Sequence, residues 1–458
     1  MRFNRHSPPR PAAATVLASV LRRLDGGRIA ELPFDVELWD GSRLPARPSD
    51  RAPSVGRLRV DRRAIGHLVR EPNQLGLTRA FVAGDLAFDG DLEALLAERA
   101  RFRSLRPTKR DLARMVARAV AAGGAGVVRR PPVPESEARP RGARHSRARD
   151  AAAVRHHYDV SNNFYRRMLG PSLVYSCAYF ASPAESLEAA QERKLELICR
   201  KLRLEEGERV LDIGCGWGSL LLHAAEHHGA RGVGITLSEE QAALARRRVR
   251  DAGLGDRIEI RVADYRDVAD GPYDKVASVG MVEHVGAAEL GSYAAVIATL
   301  LRPGGLVLNH GIARLFSEPA GDKSLIQRYV FPDGEILPLA RVLDALQGAG
   351  LEARDVESLR EHYVLTLRRW LANLAAERDA LTAEVGAERM RVWQLYMSGS
   401  ALAFADGDIS VFQVLAARPG AGHGLPLVRE AGVAAGAPAR PCGNGARRRG
   451  GHVHPQGR

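Results

Sequence analysis

Val210-Leu211-Asp212-Ile213-Gly214-Cys215-Gly216-Trp217-Gly218 is the stretch that decides the fold. An apolar run of strand-forming residues stops at alternating glycines, and Ser219–His228 then reads as a helix. Strand, tight loop and helix in that order open a doubly wound sheet. The glycines let the backbone turn tightly and approach a ligand, and the helix N-terminus behind them favours negative charge. Outward from this unit the alternation continues. Strands are expected at Arg209–Ile213, Gly232–Thr236, Ile258–Ala263, Asp274–Val279 and Gly305–Asn309, with helices at Glu239–Ala252 and Ala287–Leu301. Such alternation implies an α/β fold with a mostly parallel sheet and helices on both faces. Its ligands sit beyond the carboxyl ends of the strands, near the switch in strand order.

The loop spacing is G-x-G-x-G, not the dinucleotide pattern G-x-G-x-x-G, and Asp212 stands just before it. That combination resembles the first motif of Rossmann-like methyltransferases that use S-adenosylmethionine. A nicotinamide-binding fold would place an acid at the end of the second strand to hold a ribose. This chain has Thr236-Leu237-Ser238 there. Ser238-Glu239-Glu240-Gln241 is a capping box, so Gln241 has a structural reading beside a ligand-binding one. The third strand ends in Asp264-Tyr265. The acid can accept from an adenine amino group and the ring can stack on the base; plain surface placement is the alternative.

The 458 residues are 45% hydrophobic and 26% charged, ordinary for a globular chain of about two to three domains. Aromatics are only 5%, so the core is expected to lean on Ala, Leu and Val. No apolar run approaches the roughly 18 residues of a membrane span. Thr15–Leu21 is too short and too Arg-flanked for a signal peptide. Cys177, Cys199, Cys215 and Cys442 lack C-x-x-C pairing, which argues against a disulfide framework and a cysteine-based zinc site. No metal is expected, and a reducing, cytoplasmic setting fits. The net charge of +13 is concentrated: residues 101–150 carry 14 Lys/Arg against 4 Asp/Glu, and 419–458 carry 6 Arg against 1 Glu. Such segments can meet nucleic acid or an anionic membrane, or simply be Arg-rich filler.

The expected organisation is a disordered 1–15, a small α+β N-terminal domain at 16–122, an exposed basic Pro/Arg-rich linker at 123–150, a catalytic domain at 151–418 and a low-complexity basic tail at 419–458. In the small domain Phe34–Trp39 alternates like a half-buried strand, Asp40-Gly41 supplies a turn, Leu58–Val60 reads as a second strand, and a short helix follows Asp91.

One family is resembled closely: the cyclopropane-fatty-acyl-phospholipid synthases and the related mycolic acid cyclopropane synthases. The matching pieces are His157-Tyr158-Asp159-Val160-Ser161-Asn162, Tyr175-Ser176-Cys177-Ala178-Tyr179-Phe180, the glycine loop, Thr236-Leu237-Ser238 with Gln241, and Asp264-Tyr265-Arg266-Asp267. They continue with Gly280-Met281-Val282-Glu283-His284-Val285-Gly286, His310-Gly311-Ile312, Tyr329-Val330-Phe331-Pro332-Asp333-Gly334, and His362-Tyr363 with Thr366, Leu367 and Trp370. The resemblance covers about residues 150–418; Gly84-Asp85-Leu86 and Asp89-Gly90-Asp91-Leu92 look like the family's small N-terminal domain. It implies a Rossmann-like class I methyltransferase fold with seven strands.

The resemblance also implies the chemistry. A methylene group passes from S-adenosylmethionine to the cis double bond of an unsaturated acyl chain on a phospholipid, giving a cyclopropane fatty acid. The alkene is a weak nucleophile and its attack leaves a carbocation-like centre, so the site must be dry and aromatic faces can help. A bound bicarbonate acts as general base in the family. Its ligands carry over onto Cys177, Glu283, His310, Ile312 (through its backbone) and Tyr363. Cofactor contacts carry over onto Tyr175, Ser176, Asp212, Gly214, Gly216, Gly218, Thr236, Leu237, Gln241, Asp264 and Tyr265. Taken singly, Cys177 reads as a small buried hydrophobe, His310 as a satisfied strand-end histidine and Tyr363 as core. One departure stands out: many relatives have a Cys in a late helix where this chain has Ser400.

Three other readings compete. Some relatives methylate the alkene without closing the ring, giving methyl-branched or methylene chains. A nucleic-acid methyltransferase would need an Asn/Asp-Pro-Pro-Tyr/Phe pattern after the fourth strand, where Gly280-Met281-Val282-Glu283 stands. A non-catalytic lipid-binding protein on this fold would have lost the glycine loop or the bicarbonate ligands. The expected partners are therefore unsaturated acyl chains of membrane phospholipids and an anionic membrane surface, with no nucleic acid. Homodimerisation is left open. The expected location is cytoplasmic, peripheral at the inner membrane surface.

Overall fold

The computed structural model describes residues 12–24, 32–46, 54–99, 108–158, 160–315 and 325–428. The larger sheet has seven strands: β5 (Arg209–Ile213), β6 (Arg231–Thr236), β7 (Ile258–Val262), β8 (Tyr273–Val279), β9 (Leu301–Arg314), β10 (Glu352–Ser358) and β11 (Ile409–Ala417). Their order is β10-β11-β9-β8-β5-β6-β7. β5 pairs in parallel with β6 on one side and β8 on the other, so the strand order reverses at β5. β11 is antiparallel to both neighbours. The loop after β5 therefore opens at the switch point, where such sheets bind ligands.

The five expected strands all form. β9 runs well beyond Gly305–Asn309, because its second half pairs with β11 as far as Arg314. β10 and β11 were not among the five; β11 is buried along most of its length and lacks the alternation that marks a strand. The helix expected at Ala287–Leu301 begins earlier, at Val282, and is broken by non-helical backbone at Gly286. Glu283 and His284 thus stand on a separate short turn just before that break.

A four-stranded sheet, β2-β1-β3-β4, forms the N-terminal region from Phe34–Leu38 (β1), Arg43–Leu44 (β2), Gly56–Val60 (β3) and Leu86–Gly90 (β4). The expectation of disorder over 1–15 is corrected in part. Ala13–Leu24 is a helix, with Ala13 and Ala14 buried; Ala13 donates its N–H to Asp40 at 2.8 Å. Residues 1–11 lie outside the described residues, as do 429–458 of the expected tail, Cys442 among them. Asp159 of the first motif lies outside them too.

The exposed linker at 123–150 is also corrected. Ala125–Val128 is a short helical turn and Arg147–Tyr158 a helix. Glu137 is buried and takes a bidentate pair from Arg79 of the small domain, 2.8 Å each, plus the Tyr329 hydroxyl at 3.0 Å. A buried carboxylate needs such partners, and these join three regions of the chain. Arg149 binds Asp333, Arg144 binds Glu335 and Arg147 binds Asp267. A side chain on Gly286 would collide with the His145 ring, which lies 2.5 Å from the place its Cβ would take. Gly286 is therefore where this segment packs against the turn carrying Glu283.

The scarce aromatics are not scattered. One core cluster gathers Phe164, Tyr165, Tyr363, Trp370, Trp393 and Tyr396 from the helices Asn162–Leu169, Arg360–Ala376 and Ala387–Ala405, with Trp217 of the glycine loop and Tyr329 of the turn Ile326–Val330. The core under the sheet is built from Leu, Ile, Val and Ala, as expected, with Tyr265, Tyr273 and Tyr293 added.

Candidate active site

The strand ends at the switch point enclose a cavity of about 160 Å³. Its floor is the glycine loop. Gly216 has φ +54°, which disfavours a side chain, and a Cβ there would enter open space. Of the expected cofactor contacts, Tyr175, Ser176, Asp212, Gly214, Gly216, Thr236, Leu237, Gln241, Asp264 and Tyr265 line the cavity. Gly218 does not; at φ +80° it makes the turn into the helix Ser219–His228.

Several of these groups are already engaged. Ser238 caps the helix by accepting the Gln241 N–H, but the Gln241 side chain accepts the Thr236 hydroxyl at 2.8 Å and the Ser238 N–H goes to Thr236 Oγ1, so the expected capping box is only half made. Arg266 grips both Asp264 oxygens, at 2.8 and 2.6 Å. Burial opposes ionisation of Asp264, but these bonds win and hold it below the usual carboxylate range. Asp212 differs. Burial pushes its pKa up to about 7 against the pull of Lys194, and its Oδ1 has no hydrogen-bond partner. An open carboxylate oxygen in a cavity wall suits a cationic ligand group.

Beside the cavity lies a second cluster, the chamber, formed by the five residues expected to hold bicarbonate; none of them lines the cavity itself. The Gly280 N–H donates to His310 O at 2.8 Å, which brings the end of β8 against β9. Glu283, three residues on, accepts the Ile312 N–H on Oε1 at 2.6 Å. The Ile312 N–H is thus spent on Glu283, and its local role is to fix that carboxylate. Burial raises Glu283 to about 7, with the Ile312 N–H opposing, and Oε2 has no partner. His310 Nδ1 meets Gln413 Nε2 at 3.2 Å across the β9–β11 pair, while its Nε2 has no partner. Burial, helped by Lys194 and Lys201, drives His310 down to about 3, so the ring is neutral.

Cys177 and Tyr363 meet at Leu359. The thiol donates to Leu359 O at 3.6 Å and to Ala178 O at 3.2 Å, and the same Leu359 O accepts the Tyr363 N–H at 3.1 Å. Burial pushes the Cys177 thiol up, so it stays protonated. Burial also raises Tyr363, together with the nearby Tyr396, Cys177, Glu283 and Tyr158. The five residues are therefore neighbours, with Cys177, His310 and Tyr363 buried and Glu283 and Ile312 half-buried. Ser400, at the departure noted above, is half-buried on the helix Ala387–Ala405.

Sequence reasoning gave no site role to three contributors, Lys194, Asp150 and Tyr158. Lys194 is fully enclosed, donates to Ser176 Oγ at 2.9 Å and is pushed down to about 8 by burial; it is a buried cation between cavity and chamber. Asp150 lines the cavity from the segment assigned to the linker and binds Arg266 at 3.1 Å. Tyr158 and His284 also line it, their rings 6.3 Å apart, although both stood in quoted motifs. Lys194 carries no local signal, since a lone Lys on a helix normally faces water.

The sequence matches the mycolic acid cyclopropane synthetase family over residues 145–414. A probable fatty acid methyltransferase of Mycobacterium tuberculosis is 43% identical over 411 residues, 86% of this chain and 94% of that protein. The cyclopropane-fatty-acyl-phospholipid synthase of Escherichia coli is 37% identical over 273 residues, 60% of this chain and 69% of that one. Among solved structures, mycolic acid cyclopropane synthase CmaA1 complexed with SAH and CTAB superposes with a TM-score of 0.56 at 30% identity, covering 58% of this chain and 98% of that one. The seven-stranded sheet, the glycine loop at its switch point and this match agree: the chain belongs to the cyclopropane synthase family of S-adenosylmethionine-dependent lipid methyltransferases.

Proposed function

We propose that this chain adds a methylene group from S-adenosylmethionine across the cis double bond of an unsaturated phospholipid acyl chain, closing a cyclopropane, with bicarbonate held as general base. The observation that carries this reading is the pair of unpartnered buried atoms, Glu283 Oε2 and His310 Nε2. Buried polar atoms are costly unless a ligand meets them. With Gln413 Nε2 donating to His310 Nδ1, the neutral ring carries its proton on Nε2 and donates from there. Glu283 Oε2 accepts. A small oxyanion with one O–H of its own matches one donor and one acceptor.

Bound S-adenosylmethionine would supply the electrophilic methyl group, and bound bicarbonate the base that removes a proton from it after transfer. The chain does the rest. Asp212 offers its open oxygen to the cofactor's ammonium group, Gly214 and Gly216 admit the nucleotide to the backbone, and Tyr265 offers a ring to the adenine. Closing the chamber excludes water that would quench a carbocation, and the rings of Tyr158, Tyr175 and Trp370 can stabilise that charge. The exposed Arg129, Arg130, Arg139 and Arg141 support docking to an anionic membrane. Among the described residues no helix is long and apolar enough to cross one.

A second reading, methyl or methylene branching without ring closure, is favoured by relatives that match over nearly their whole length and are named as fatty acid methyltransferases, not cyclopropane synthases. Lipids from a host expressing the chain decide between them. Both readings predict a gain of one carbon per double bond by mass spectrometry. NMR should then show ring methylene protons; a branch methyl or exomethylene signal in their place would reject ring closure.

A further inference from the structure

The helix Leu187–Leu202 turns Lys194, Leu195 and Ile198 to the cavity, and the helix Ser219–His228 starts at its glycine loop. Where these two helices pack together they gather side chains that the lipid chemistry does not use. Cys199, His223 and His228 each offer one ligand atom, all within 4.8 Å of one another. Glu196 stands one helical turn before Cys199. Its Oε2 meets His223 Nε2 at 3.1 Å and His228 Nε2 at 2.9 Å, so both rings converge on one oxygen. Cys199 is fully buried, whereas the Glu196 side chain is 41% and that of His228 18% exposed, which leaves an ion a way in.

We propose that this cluster is a structural site for a zinc-class divalent cation, with Cys199, His223 and His228 as ligands and Glu196 as the fourth. A thiolate, two imidazoles and a carboxylate form a donor set that suits borderline-soft zinc. Ligand atoms around one zinc stand roughly 3.3–3.6 Å apart. Rotation of the more exposed His228 and Glu196 closes the remaining distance. The charges balance: Cys199 releases its proton to solvent, and the thiolate and carboxylate offset the cation. Each imidazole binds neutral, through a deprotonated nitrogen, with its proton on the other ring nitrogen. The ligands come as Glu196-x-x-Cys199 from one helix and His223-x-x-x-x-His228 from the next, a spacing with no C-x-x-C pair in it. An ion there would tie two walls of the cavity together.

Tag-free full-length protein, stripped with chelator and dialysed against zinc, should keep one equivalent by elemental analysis. Cobalt(II) in its place should show a thiolate-to-metal charge-transfer band. Cys199→Ser should abolish that band. Cys199→Ser and His228→Gln should each weaken zinc binding by at least about tenfold, while Cys442→Ser should change neither property. Zinc should raise the thermal midpoint of wild type but not that of Cys199→Ser. Failure of wild type to hold zinc, a cobalt spectrum without the thiolate band, or unchanged zinc affinity in both ligand variants overturns the site. None of these readouts depends on methyl transfer.

Discussion

The two halves of the active centre are built in different ways. The cavity at the end of β5 has the glycine loop as its floor and the neighbouring strand ends as its base, with side chains such as Asp150, Lys194 and His284 completing the wall. The chamber beside it is made of groups brought together from β9, the turn before Gly286 and the helix Arg360–Ala376. The first kind of site is written locally, because a glycine turn between strand and helix needs particular residues at fixed spacing. The second exists only after folding, because no short stretch of sequence holds more than two of its members.

The largest expected effect lies in the chamber. Glu283→Gln keeps the size of the side chain but loses the charge that accepts the bicarbonate proton, so turnover should fall about 10²–10⁴-fold. Cofactor affinity by calorimetry should be nearly unchanged, since Glu283 does not line the cavity. Gly216→Val tests the other half. A branched side chain at φ +54°, projecting into open cavity space, should abolish S-adenosylmethionine binding while circular dichroism stays native. Equal loss of cofactor binding in both variants would erase the distinction between the halves.

A structural prediction comes next. Arg79→Ala leaves Glu137 buried and without its bidentate partner, a change that typically costs about 3–5 kcal/mol. Chemical denaturation should show that loss. A negligible change would mean that the small domain is not anchored through this pair.

The pH dependence separates catalysis from stability. Glu283 must be ionised to accept a proton, so activity should rise with pH through an apparent value near 7. Stability of the ligand-free protein should run the other way. Glu283 and Asp212 both titrate near 7 in the folded state, above ordinary carboxylates, so the folded form holds extra protons below that value. That contribution is lost as pH rises through about 7. Thermal midpoints should fall as pH rises from the ordinary carboxylate range to about 7 and level off above it, and Glu283→Gln should flatten the fall.

The smallest effect concerns the membrane. Arg144, Arg147 and Arg149 are tied to acids of the catalytic domain, whereas Arg129, Arg130, Arg139 and Arg141 are exposed. Each exposed arginine is expected to add about 1 kcal/mol to binding of anionic vesicles, screened by salt. Arg139→Glu with Arg141→Glu should weaken flotation with such vesicles. Binding that ignores both salt and these charges would leave apolar insertion as the docking force.

Legibility in the sequence follows the same division. Alternating strands and helices over 205–312 gave the sheet and its switch point, because period and glycine punctuation are local signals. The charge run at 123–150 misled, since Arg-rich composition looks the same whether arginines meet water or, as Arg149 does, the carboxylate of Asp333. Resemblance located Glu283, His310 and Tyr363, but only packing shows that the Ile312 N–H serves Glu283. Lys194 was invisible for the same reason: its burial depends on Ser176 and Asp212, which are distant in sequence.

The most direct test of the bicarbonate site is turnover in rigorously degassed, carbonate-free buffer, followed by measured additions of bicarbonate. The account predicts that wild type slows on depletion and recovers on addition, whereas Glu283→Gln recovers only in part. Wild-type turnover indifferent to carbonate, or full activity in Glu283→Gln, would contradict it and move the deprotonating role to another group nearby, with His284 of the cavity wall and Tyr363 of the chamber next in line.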